Sequence, residues 1–89
     1  MIAAHIQFIP LASDAPIELV DHAIAIIQKS GLQYEVGPFG TSVEGEATLV
    51  SGTVEALVAC PTTSEFLLNV QYHVGPTRLS NLEKVAKFR

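Results

Sequence analysis

Apolar and polar residues recur along this chain with two different periods, and the changes of period mark its elements. In residues 3–10, "AAHIQFIP", Ile6 and Phe8 point one way and His5 and Gln7 the other. That is the two-residue repeat of a half-buried strand, which Pro10 ends. Residues 13–30 switch to a helical repeat, with Ile17, Val20, Ile24 and Ile27 spaced to fall on one stripe. Ser13 or Asp14 is expected to cap that helix, Pro16 fits its first turn, and Gly31 suits the left-handed position just past its end.

Alternation then returns. Leu32, Tyr34 and Val36 oppose Gln33 and Glu35, "GPFG" supplies the chemistry of a hairpin turn, and "TSVEG" reads as the return strand. Residues 45–60, "GEATLVSGTVEALVAC", admit two readings. Gly52 and the β-branched residues favour strand, whereas Val50, Val54, Leu57 and Val58 fit a helical stripe. In residues 65–74, Leu68, Val70, Tyr72 and Val74 alternate with Asn69, Gln71 and His73, a long strand closed by Gly75-Pro76. Finally, Ser80 followed three residues later by Glu83 is a capping-box pattern that predicts a short last helix.

With residues 45–60 taken as helix, the order is strand, helix, strand, strand, helix, strand, plus a short C-terminal helix. Two split βαβ units of this kind predict a ferredoxin-like α+β sandwich: a four-stranded antiparallel sheet with both main helices on one face. The first strand would be central, beside the last. His5 and Gln7 would then share the helix-free face with Asn69, Gln71 and His73, a polar face suited to a pocket or an oligomer interface.

Composition adds one inference and removes several. The 89 residues suit a single domain, residues 1–89. With 48% hydrophobic and only 16% charged residues, the chain carries more apolar material than one small core needs, so a homodimer or homotetramer is expected. Net charge is −4, and all basic residues except Lys29 fall within 78–89, which leaves no basic stripe for nucleic acid. No apolar run is long enough for a membrane span, and the N-terminus lacks the basic residues of a signal peptide. A lone cysteine, Cys60, makes no disulfide framework, so the cytoplasm is the expected compartment and a small packing group its expected role.

The stretch from Tyr34 to Gly45 carries a Pro-x-Gly-Thr-x-x-Glu-Gly pattern at Pro38, Gly40, Thr41, Glu44 and Gly45. Together with the opening "FIPLAS" and the closing "LEKVAKF", it resembles the small thiamine-binding protein family. The resemblance covers the first 45 or so residues well and the last ten loosely. It implies a ferredoxin-like fold, a helix at 45–60, subunits that assemble through their sheets, and non-catalytic binding of thiamine or its hydroxymethylpyrimidine half near the subunit interface. Relatives tend to close the last strand with an Asp and an Arg. Here that region reads "HVGPTR", with only Arg78 nearby.

Each candidate site residue has a structural reading beside its functional one. The Glu44 carboxylate can accept paired N–H groups from an aminopyrimidine, or can cap the following helix. Thr41 can bond a ligand polar group or simply begin a strand. Phe39 can stack on a ring or pack against a neighbouring subunit, and Tyr34 has the same choice with core packing favoured. Gly40 can allow close approach of a ligand or serve the turn alone. His5 and Gln7 are expected to hydrogen-bond at a pocket or interface. With His73, His5 makes too thin a set for a metal, so neither a metal nor a cofactor is expected. A single pocket carboxylate leaves one enzymatic alternative, a small ferredoxin-like isomerase or monooxygenase using a general base. A purely structural or regulatory oligomer is the third.

Overall fold

A computed structural model describes residues 1–12, 14–60 and 64–89. The elements run β1 (Ile2–Pro10), α1 (Pro16–Lys29), β2 (Gln33–Val36), β3 (Thr41–Gly45), α2 (Ala47–Val58), β4 (Phe66–His73), α3 (Asn81–Val85) and a final 3₁₀ turn (Ala86–Phe88). The sheet order is β2-β3-β1-β4 with every pairing antiparallel, which is the ferredoxin-like arrangement. Residues 47–58 are helical despite Gly52, because Val50, Thr53 and Leu57 on one side are buried. Among the described residues, no helix is long and apolar enough to cross a membrane.

Register assigns every strand residue to a face. Ile6 lies opposite Thr41 and Val70, and Ala4 opposite Val43 and Tyr72, on the side covered by α1 and α2. His5, opposite Ser42 and Gln71, lies on the other side. The core forms between the helices and the first of these faces, from Ala4, Ile6, Ala23, Ile27, Leu32, Val43, Val50 and Leu57. Phe8 and Phe66 stack at one end with centroids 4.4 Å apart.

Three local expectations change. The inward side of α1 is centred on Ala23 and Ile27, whereas Ile17 in the first turn is 75% exposed. The N-cap of α1 is Ala15 rather than Asp14, and Ser13 lies outside the described residues. Tyr34 and Val36 belong to an edge strand whose four residues are all exposed, so Tyr34 is not a core residue. The end of α1 follows the sequence reading: Ser30 is the C-cap, and Gly31 has φ +83°, a conformation that costs little only without a Cβ.

Candidate binding site

The outer face of the sheet is partly crossed by the C-terminal segment. Ser80 caps α3 with the expected capping box, its side chain accepting from the Glu83 N–H while Glu83 accepts from the Ser80 N–H. These bonds hold the Glu83 carboxyl below the usual carboxylate range. Four residues then tie the segment to the sheet: Arg78 and Asn81 to Glu44, Lys84 to His73, and Arg89 to Glu35. The Arg89 guanidinium, first through its hydrogen bond, likewise lowers the Glu35 carboxyl.

Glu44 is the anchor of this segment. Its carboxylate accepts from Arg78 Nη1 at 2.7 Å and from the Asn81 N–H at 3.2 Å, and both side chains of the ion pair are almost wholly buried. Asn81 Nδ2 adds a bond to the Val43 carbonyl. Glu44 therefore does not cap α2, whose N-cap is Glu46. No local pattern signals the Glu44–Arg78 pairing, since 34 residues separate the partners. The segment borders a cleft of about 390 Å³ beside β2, lined in part by Ser42, Glu44, Asn81 and Leu82. A second outer cleft of the same size lies on its other side, beside His5, Gln71 and His73.

Thr41 lies on the other face. It is 5% exposed, and it lines a groove of about 210 Å³ between α1 and the β2–β3 turn. Most of the lining side chains are apolar, Ile6 and Phe8 from β1, Val20, Ala23 and Ile24 from α1, and Pro38 and Phe39 from the turn, and Gly37 and Gly40 line it as well. Among the described residues the Thr41 hydroxyl makes no hydrogen bond, so the groove contains an unused donor and acceptor. Phe39, 83% exposed, stands at its lip.

Of the six residues singled out from the sequence, Phe39, Gly40 and Thr41 thus meet at one groove. Glu44 stands across the sheet from them. His5 and Gln7 also lie on the outer face, behind the turn. A Cβ on Gly40 would fall 2.5 Å from His5 Nε2, so the imidazole fills the space a side chain would need. Gln7 Nε2 donates to the Phe39 carbonyl at 3.1 Å.

Cys60 is buried, which pushes its thiol up and away from the thiolate form a nucleophile needs. Among the described residues, no three His, Cys, Asp or Glu side chains gather as a metal site would require.

The fold and the turn motif define a class of small ferredoxin-like proteins, and comparison identifies the family. Residues 4–77 match the model of the thiamine-binding protein family, to which the chain belongs. It is 31% identical to a Thermotoga maritima protein provisionally assigned to thiamine biosynthesis or salvage, with TM-score 0.89 over 99% of this chain and 98% of that one. It is 30% identical to a Bacillus cereus domain of unknown function, with TM-score 0.82 over 99% and 89% of the two chains. A Methanocaldococcus jannascii protein at 18% identity and TM-score 0.81, covering 98% and 94%, shares the fold. No curated protein matches the chain.

Proposed function

We propose that the protein binds thiamine or its hydroxymethylpyrimidine half reversibly, without chemistry, and holds the pyrimidine in the groove between α1 and the β2–β3 turn. The observation that carries this reading is Thr41: a buried strand residue, its hydroxyl unpaired among the described residues, that lines a groove whose other side chains are mostly apolar. Few polar groups in an apolar concavity is the usual makeup of a small-molecule site, and about 210 Å³ lies below the roughly 300 Å³ at which drug-sized pockets begin. One heteroaromatic ring fits that scale. The ring sits against Ile6 and Ile24 and hydrogen-bonds Thr41, while Phe39 at the lip stacks on it. The cationic half of thiamine then extends outward over an acidic protein.

Membership of the thiamine-binding family supports the ligand class. The enzymatic alternative needs a free carboxylate beside the ligand, and Glu44 is instead engaged by Arg78 and Asn81 on the opposite face. We assign the protein to the cytoplasm and to a homodimer or homotetramer joined through its sheet. Ile9 and Leu67, neighbours on the outer face, are both exposed apolar residues that such an assembly would cover.

The test is calorimetric titration of the wild type and of Thr41→Val with hydroxymethylpyrimidine and with thiamine. Saturable heat for the wild type, weakened in the variant, is expected. No heat with either compound overturns the ligand assignment, and equal affinity for both proteins overturns the role of Thr41.

A further inference from the structure

Resting on the groove assignment above, we propose that Gln7 is a positioning residue for the ligand: from the opposite face of the sheet it fixes the turn that forms the groove's lip. The reason lies where the ladder stops. Pairing between β1 and β3 ends at Ile6 and Thr41, so the backbone from Gly37 to Gly40 leaves the sheet just where it starts to line the groove. Gln7, the next residue of β1, takes over with its side chain. Its Nε2 donates to the Phe39 carbonyl at 3.1 Å, in place of the main-chain bond the ladder no longer supplies.

The carboxamide is itself oriented. Asn69, opposite Gln7 in the register with β4, places its Nδ2 3.5 Å from Gln7 Oε1. That leaves the Gln7 NH₂ group turned toward Phe39. His5 supports the same turn two residues away, its ring against the bare Cα of Gly40. The turn's own closure is a single bond from the Gly37 N–H to the Gly40 carbonyl at 2.8 Å, and its strand on the far side, β2, is an exposed edge. Gln7 thus holds the Phe39 main chain at the groove's lip without touching the ligand. Its effect on affinity comes through the cost of ordering the lip when the ligand binds.

Three variants test this. Gln7→Leu removes both hydrogen-bonding groups, Gln7→Glu keeps the acceptor but loses the donor, and Gln7→Lys restores a donor of similar reach. Each is titrated with hydroxymethylpyrimidine, and amide exchange at Gly37 and Val43 is followed in the ligand-free protein. Loss of one net hydrogen bond corresponds to a Kd roughly threefold to tenfold higher. That rise is expected for Leu and Glu, with faster exchange at Gly37, unchanged exchange at Val43, and wild-type behaviour for Lys. Unchanged Kd and unchanged Gly37 exchange in Leu and Glu overturn the proposal. So does exchange that accelerates at Val43 as much as at Gly37, which marks general loss of stability. If the groove assignment itself is wrong, Thr41→Val binds as the wild type does, and Gly37 exchange in the ligand-free variants still decides whether Gln7 holds the turn.

Discussion

Thr41 and Glu44 stand three positions apart on one five-residue strand, and their side chains leave opposite faces of the sheet. Thr41 pairs with Ile6 under the helices, and Glu44 pairs with Ala3 on the outer side. An odd spacing on a pleated strand permits nothing else. One motif therefore serves two purposes: Thr41 opens into the groove, and Glu44 fastens the C-terminal segment.

The Glu44–Arg78 pair sets the largest expected loss of stability. Both side chains are about 95% buried, so Glu44→Ala leaves a guanidinium without its counter-charge, a change that costs about 3–5 kcal/mol. Urea unfolding measures it. Glu44→Gln is expected to cost less, because the amide still accepts from Asn81, and to leave the hydroxymethylpyrimidine Kd of the folded protein unchanged. A large change in that Kd would return Glu44 to the ligand.

Thr41→Val separates binding from folding in the opposite sense. The side chain keeps its shape and loses only a hydroxyl with no partner among the described residues. Stability is expected to change by less than about 1 kcal/mol, while ligand affinity falls roughly tenfold.

Two glycine substitutions are expected to differ in sign. Gly52 sits within α2 with open space where a Cβ would go, so Gly52→Ala should stabilise the protein by about 0.8–1 kcal/mol. At Gly40 the same methyl would meet His5 Nε2 at 2.5 Å and the Ile6 carbonyl oxygen at 2.8 Å. Overpacking of this kind costs about 1–3 kcal/mol, and here it also displaces the groove's lip. Thermal melts of the two variants check both signs.

Acid is expected to loosen the C-terminal segment. Glu83, held down by Ser80, and Glu35, held down by Arg89, have folded-state values below the ordinary 4.5. The unfolded chain thus binds these protons first as pH falls, so the stability they contribute is fully present above about pH 4.5 and is lost as pH drops through the lower folded values. Amide exchange across α3, followed from pH 6 downward, should show protection lost in that window. The exposed Glu35–Arg89 pair should also weaken with added salt.

What the sequence revealed depended on how far apart the interacting residues lie. The capping box of Ser80 and Glu83 and the left-handed Gly31 are local, and both are legible in a few letters. The order of elements followed from the changes of hydrophobic period except at residues 45–60, where Gly52 and the β-branched residues left strand and helix both open and burial of Val50, Thr53 and Leu57 decided for helix. The partner of Glu44 was not legible, because Arg78 is 34 residues away and only the fold brings it there. Nor was the crossing of the outer face by α3, whose attachments to the sheet are polar and leave none of its residues buried. The separation of Thr41 from Glu44 was present in their spacing, but the motif they share read as a single site.

The most direct test of the groove is a ¹⁵N–¹H titration of the protein with hydroxymethylpyrimidine. Shifts are expected to concentrate at Phe39, Gly40 and Thr41 on the turn and at Val20 and Ile24 on α1, saturating with one ligand per chain. No shifts at millimolar ligand, or shifts gathered instead around Glu44, Ser42 and Asn81 on the outer face, would contradict the account.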